Sequence, residues 1–591
     1  MAQATLAQSP TASAVTTIGE LWQRAAAAGR TRPAFLVEKD GAWLPVGWDE
    51  ATERVAALAN GFLSLGVEKG DKVAILCRTR LEWSLADYAL ATIGAVVIPI
   101  YPTSSPAEIA YILRDSETKL LLSEDEEQLA KTRDLEHDLP SLERVIGIDV
   151  PGGGGTLDDV AAAGRTWGSS HPEAVARAAA QVGPDDVLTF LYTSGTTGNP
   201  KGCLLSHRNY VAMTEAVVAV SGLFRDDDTA LLFLPLAHNF ARLIQFTATA
   251  VGFPLALCTD VRGVSAALAA VRPTLFPSVP RVYEKVHTAV KAAAAESGGV
   301  KRRLAEWAFA VGERAAQGDS GPVLALQHGI ADRLVLGKVR ARMGGRMRFA
   351  VSGGAPLAPE IARFFNACGV LILEGYGMTE CTTAATLNPP GAPRFGTVGP
   401  ALPGIELKIE TDGEILIRGA TIFGGYYRNP EATAEALTPD GWLRSGDIGT
   451  IDADGYLTIT DRKKDIIVTA GGKNVAPQVI ENMLKTSPYV SNVVVIGDNR
   501  PYLVALITVD ADEVKSLGAP DSPEVRAAIE RSVEAVNAEL GRVEQIKRFT
   551  ILPRDFSAEQ GEITATLKIK RRVCIDHFSD EIEILYLGPR T

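Results

Sequence analysis

The chain has 591 residues, 46% hydrophobic and 22% charged, enough for several domains, a large buried core and an internal ligand site. Its 59 Lys and Arg against 71 Asp and Glu leave a net charge of −12, which argues against a nucleic-acid partner and against a strongly basic membrane-binding surface. Six cysteines, at 77, 203, 258, 368, 381 and 574, form no CxxC pair, the pattern of a reducing cytoplasm rather than of a metal cluster.

The first sixteen residues are mostly Ala, Gln, Ser and Thr. They read as a frayed tail (residues 1–16), not a signal peptide, because no basic start precedes an apolar core. Helical spacing predicts a helix over 17–29, with Ile18, Leu21, Trp22 and Ala25 on one face, and another over 48–65. Strands are predicted at 72–77, 95–100 and 119–123, alternating with helices at 82–94 and 105–115, the signature of a parallel α/β unit. The most apolar run, 88–100, is interrupted by Gly94 and Pro99. It is too short to cross a bilayer, so any membrane contact would be peripheral. Four glycines in 151–155 read as a surface loop.

A second α/β unit starts with residues 188–202, LTFLYTSGTTGNPKG. The apolar beginning is a strand. The loop Thr193, Ser194, Gly195, Thr196, Thr197 and Gly198 can turn backbone N–H groups and hydroxyls onto one anion, and Lys201 adds a positive charge. The pattern points to phosphate binding. It is not a Walker A loop, because Pro200 precedes the lysine, Gly202 follows it, and Cys203-Leu204-Leu205 continues as a strand. A helix is expected at 207–220 and a strand at 230–235. An Ala-rich helical zone broken by Pro254, Pro273, Pro277 and Pro280 follows, then a Lys/Arg/Ala-rich helical stretch over 291–345 that reads as a solvated face, and strands at 347–353 and 370–374.

From about 394 the pattern changes to short strands with Gly-containing turns: 406–409, 413–418, 455–460 and 464–469. Residues 441–447, GWLRSGD, read as a turn ending in a carboxylate. Beyond Asp461 come a helix at 477–486, strands at 490–496 and 502–509, and a helix at 523–541. The expected architecture is α/β: a large N-terminal domain (17–460) of two α/β sheet subdomains plus a small β-rich subdomain (about 394–460). A smaller mobile α+β C-terminal lid domain (461–591) follows, hinged near 460–462.

The segment YTSGTTGNPKG resembles the phosphate loop of the adenylate-forming (AMP-binding) superfamily, and further motifs match it in order and spacing. Glu374-Gly375-Tyr376-Gly377-Met378-Thr379-Glu380 is similar to the family motif in which Tyr376 stacks on adenine, Thr379 meets the α-phosphate and Glu380 binds Mg²⁺. The resemblance gives Thr193 a second contact to that ion, and one carboxylate suffices because Mg²⁺ keeps waters and substrate phosphates as ligands. By the same resemblance Gly353, Gly354 and Ala355 wall the adenine, Asp447 holds the ribose, and Arg462 reaches the ribose and phosphate. Gly472 and Lys473 lie on a flexible loop that faces the site during thioester formation.

Near the C-terminus the resemblance assigns Lys568 as the catalytic lysine, with Lys570 as the rival. The family's glycine and proline in this motif are absent, replaced at the neighbouring positions by Leu567 and Ala565. Around His238, Phe240 and Arg281 the sequence resembles the long- or medium-chain fatty acyl-CoA synthetase branch. His238 reads as a structural residue or as one beside the substrate carboxylate or gating the pocket, and Phe240 as a pocket or core residue.

The resemblance therefore implies ATP, Mg²⁺ and CoA, and a fatty acid activated to an acyl-adenylate and passed to CoA by Lys201, Thr379, Glu380 and Lys568. The cysteine usage and net charge read as a cytoplasmic protein without a nucleic-acid partner, and a monomer or homodimer is expected. Two other readings stay open: a fatty acyl-AMP ligase serving a carrier protein, and a non-catalytic fatty-acid or nucleotide-binding protein.

Overall fold

The computed structural model describes residues 15–133, 135, 139–193, 199–296, 298–557, 559–564 and 569–587. Ser194, Gly195, Thr196, Thr197, Gly198 and Lys568 of the expected site lie outside the described residues.

Two mixed sheets form the body. In the first, Arg144–Gly147, Leu120–Ser123, Lys72–Leu76, Val96–Ile100 and Val187–Thr193 run parallel, and Lys201–Ser206 closes the edge antiparallel to Val187–Thr193. The parallel strands are buried on both faces, so they read as continuous apolar runs rather than as alternating ones. Helix Leu81–Ile93 is buried along nearly its whole length, including Ser84, Asp87 and Thr92, and its buried Asp87 is paired with Arg242. Gly94 ends it with φ 78°.

The second sheet has eight strands. Ile372–Tyr376, Phe349–Ser352, Leu275–Ser278, Ala230–Leu232, Leu255–Leu257 and Phe35–Lys39 run parallel, with Thr386–Leu387 and Ala42–Val46 antiparallel at the two edges. The hairpin Phe35–Lys39/Ala42–Val46 was not expected. Its strands are short, carry charged or proline positions and are largely exposed at the sheet edge.

The β-rich unit is an antiparallel sheet of Ile405–Ile409, Glu414–Gly419, Leu443–Ile451 and Leu457–Arg462. Residues 441–447 thus correct the turn expected there, because most of them belong to the strand Leu443–Ile451. Residues 464–469 also correct the expectation. Only Ile467–Val468 is extended, and it pairs with Asn474–Val475 outside the β-rich sheet. The C-terminal part builds a three-stranded sheet, Val490–Ile496, Leu503–Val509 and Ile546–Ile551, against helices Pro477–Leu484 and Pro523–Glu539. Its core, from Ile467 to Ile546, is separate from the large core that ends at Leu457. Among the described residues no helix is long and apolar enough to cross a membrane.

Candidate active site

A cleft of about 2180 Å³ runs between the body and the C-terminal part. The edge hairpin feeds it first. Thr193 and Lys201 stand opposite each other across that hairpin, and both line the cleft. The free edge of Lys201–Ser206 is taken by residues 424–427: Gly424 N–H donates to Leu204 O (3.0 Å), Leu204 N–H to Gly425 O (3.0 Å) and Tyr427 N–H to Gly202 O (2.8 Å). Gly425, at φ 117°, is packed so closely on Thr433 that a Cβ would clash. This pairing fixes Tyr426. Its ring lies 5.2 Å from Lys201 Nζ, and its hydroxyl donates to Glu380 Oε1 at 2.7 Å.

Glu380 sits on the single 3₁₀ turn Thr379–Cys381. The next two residues, Thr382 and Thr383, have φ 56° and 97°, rare and strained for β-branched residues. Thr382 is held there by a 2.6 Å bond from its hydroxyl to Thr421 O. Gly377 is required beside this turn, because a Cβ there would lie 2.1 Å from Thr383 O. Glu380 and Thr193 both face the cleft. One carboxylate and one hydroxyl fit a Mg²⁺ ion brought in with a nucleotide, which needs few protein ligands. Among the described residues no cluster of three or more His, Cys, Asp or Glu could cage a metal by itself.

Tyr376 ends its strand at the cleft, and its hydroxyl donates to Asp447 Oδ2 at 2.6 Å. Asp447 is opposite Arg462 in the sheet register, with Arg462 Nε 3.5 Å from Asp447 Oδ1. Gly354, Ala355, Gly375 and Thr379 complete this wall. Glu374 is buried behind it, and neither Glu374 Oε1 nor Ser352 Oγ has a hydrogen-bond partner among the described residues. Burial pushes the Glu374 carboxyl from 4.5 up to about 7, against backbone N–H bonds from Leu357 and Gly396. A carboxyl raised on folding adds stability that is complete below its unfolded value and is lost as pH rises through the folded value. Wild-type thermal stability should therefore fall as pH rises from about 4.5 to about 7, and Glu374→Gln should flatten that slope in a melting series.

Beside the cleft lies an apolar cavity lined by Val217, Phe224, Phe240, Leu243, Ile244 and Gly353, among others. The two spaces share His238, Asn239, Ser352, Tyr376 and Thr379. His238 caps helix Asn239–Val251, its Nδ1 accepting from Phe240 N–H at 3.1 Å.

From the C-terminal side, Thr564, Ile569 and Lys570 line the cleft. Ile563 and Ile569 are bridged. Lys570 N–H donates to Glu562 O at 2.7 Å. The neighbouring Arg571 is committed to structure, donating to Val495 O (2.8 Å) and Glu481 Oε2 (2.9 Å). Gly472 and Lys473 are not brought to the cleft. They occupy an exposed turn between the strands Ile467–Val468 and Asn474–Val475.

Asp461 and Arg281 are among the residues that tie the parts together. Buried Asp461 accepts from Gln478 N–H at 2.9 Å. Arg281 donates to Ser491 Oγ at 2.9 Å and lies 3.5 Å from Asp510. Arg281→Ala should leave the melting temperature nearly unchanged, since partly exposed pairs contribute little. It should also speed limited proteolysis around residues 460–466 by freeing the C-terminal part.

Sequence reasoning missed Tyr426 and Asn239. The pair of glycines before Tyr426-Tyr427 was the one available signal, marking a close backbone approach.

The AMP-binding enzyme family model matches residues 22–427, and the AMP-binding enzyme C-terminal domain model matches residues 464–589. The chain is 40% identical over 578 residues to the long-chain-fatty-acid–CoA ligase FadD15 of Mycobacterium bovis, covering 94% of this chain and 95% of that one. It is 33% identical to the peroxisomal long chain acyl-CoA synthetase 6 of Arabidopsis thaliana, covering 93% and 82%. Among solved structures, the adenylation domain of a carboxylate reductase from Mycobacterium chelonae superposes with a TM-score of 0.77 at 24% identity, covering 97% of this chain and 91% of that one. These likenesses, with the phosphate hairpin and the Tyr376–Glu380 turn meeting at one cleft, establish that the chain belongs to the AMP-binding, adenylate-forming enzyme family, in its long-chain fatty acyl-CoA synthetase branch.

Proposed function

We propose that the protein activates a long-chain fatty acid with ATP and transfers the acyl group to CoA. The observation that carries this reading is the shared wall at His238, Tyr376 and Thr379. A chain lying in the apolar cavity would present its carboxylate to a nucleotide phosphate in the cleft.

In the first half-reaction a carboxylate oxygen attacks the α-phosphorus, the bond to the β-phosphate oxygen breaks, and pyrophosphate leaves. Lys201 binds phosphate and is held against Tyr426. Thr379 donates to the α-phosphate. Asp447 exchanges its bond from Tyr376 for the ribose hydroxyls, leaving the Tyr376 ring as a face for adenine, with Arg462 beside both. Gly353, Gly354, Ala355, Glu374 and Gly375 shape the adenine wall. Glu380 and Thr193 would hold Mg²⁺, which when bound neutralises phosphate charge. Lys568 brings a further positive charge to the oxygens as negative charge builds.

In the second half-reaction the C-terminal part rotates and carries Gly472 and Lys473 toward the cleft. The CoA thiolate attacks the acyl carbonyl and AMP leaves. Closure of the mobile part at each step keeps water from the acyl-adenylate. The six cysteines, all free and buried, suit a cytoplasmic setting.

The test is fatty-acid-dependent exchange of labelled pyrophosphate into ATP. Exchange with long-chain acids supports the reading, and its absence with every chain length contradicts it.

A further inference from the structure

Asn239 is the first residue of helix Asn239–Val251. It is 3% exposed and lines both the nucleotide cleft and the apolar cavity. Its Oδ1 accepts a hydrogen bond from the Tyr210 hydroxyl. Its Nδ2 has no partner among the described residues. An unpaired buried N–H group lowers stability, and such groups persist where a ligand satisfies them.

The amide is held in this orientation from behind. Tyr210 is fully buried and packs edge-on against Phe246, with ring centroids 5.2 Å apart. The Arg242 guanidinium lies 5.2 Å from the Tyr210 ring centroid. It is fixed by Asp87 through contacts of 2.6 and 3.2 Å, and Asp87 also accepts from Gln245 at 3.0 Å. A guanidinium offers no acceptor, so the Tyr210 hydroxyl hydrogen turns to Asn239 Oδ1. That leaves Nδ2 as the free end of the amide.

We infer that Asn239 Nδ2 donates a hydrogen bond to the carboxylate, and then to the acyl carbonyl oxygen, of the fatty acid, with Tyr210 as the residue that positions it. A neutral donor suits this place. The group it holds passes from an anion to an uncharged mixed anhydride, and a fixed cation would stabilise the starting carboxylate against reaction. The inference rests on the fatty-acid activation proposed above.

The test compares wild type, Asn239→Leu, Tyr210→Phe and the double variant in pyrophosphate release. Binding of palmitate and of hexadecanol, which has the same chain without a carboxylate, is measured alongside. A hydrogen bond to a charged acceptor corresponds to about a 10- to 100-fold effect. Asn239→Leu should lower kcat/KM for palmitate by that factor. KM for ATP and hexadecanol affinity should stay within about two-fold, and the melting temperature should be equal or higher, because an unpaired donor is removed. Tyr210→Phe should lower kcat/KM less, and should change nothing further when added to Asn239→Leu. Palmitate kcat/KM within about three-fold of wild type, or an equal loss of hexadecanol binding, would overturn the assignment. Wild type inactive with every fatty acid would refute the activation reading instead. The palmitate–hexadecanol comparison would then still decide the role of Asn239.

Discussion

Lys568→Ala is expected to slow acyl-adenylate formation by about 10²–10³, the usual loss when one group that stabilises transition-state charge is removed. In-line attack on the α-phosphorus concentrates negative charge on its oxygens, and a lysine supplies a mobile point charge there. Lys201 enters the cleft from the edge hairpin, so a second lysine must arrive from the C-terminal side. Lys570 also lines the cleft and precedes helix Arg571–His577, but the family resemblance places the charge at Lys568. Lys570→Ala should therefore lose less than about ten-fold. The check is fatty-acid-dependent pyrophosphate exchange, with thioester formation from pre-made acyl-adenylate as the companion readout. Lys568→Ala should spare the second step. A larger loss at position 570 than at 568 would assign the charge to Lys570.

Glu380→Gln should cost a similar factor, about 10²–10³ in adenylation, and should raise the Mg²⁺ concentration needed for half-maximal rate. The amide keeps the size and can still accept from Tyr426, but it removes the anion. Tyr426→Phe tests the outer support. It deletes the 2.7 Å bond to Glu380 Oε1 and keeps the ring near Lys201, so a loss of about 10- to 100-fold in metal affinity or rate is expected. An unchanged Mg²⁺ dependence in Glu380→Gln would remove Glu380 from metal binding.

The parallel strands were legible because burial on both faces leaves an apolar run, as in Val96–Ile100 and Leu120–Ser123. The helix boundaries near Thr17, Ser105 and Gly94 were legible, and the structure gives their local reasons: Thr17 and Ser105 cap their helices and Gly94 ends its own. The strand Leu443–Ile451 was hidden because Gly446 and Gly449 look like turn punctuation. In the sheet Gly446 takes φ 71° and a register shift falls at Ile448/Gly449. The hairpin at 188–202 was reachable from its own residues, and Tyr376, Glu380 and Asp447 through the family resemblance of their motifs. Tyr426 was not, since it meets Glu380 across 46 positions and only through pairing of residues 424–427 with the Lys201 strand. Asn239 was equally invisible: a sequence shows an amide but not which of its atoms lacks a partner. The segment around Arg281 pointed only to the branch, and the residue's partners Ser491 and Asp510, more than two hundred residues away, were not legible in it.

The central claim is that one cleft joins a fatty carboxylate to AMP and then hands the acyl group to CoA. The most direct measurement is mass analysis of products from the full chain supplied with ATP, Mg²⁺ and a series of fatty acids, with and without CoA. The account predicts acyl-adenylate and pyrophosphate without CoA, and acyl-CoA with stoichiometric AMP when CoA is present. Acyl-adenylate that accumulates unchanged in the presence of CoA, or no adenylate from any fatty acid, would contradict it.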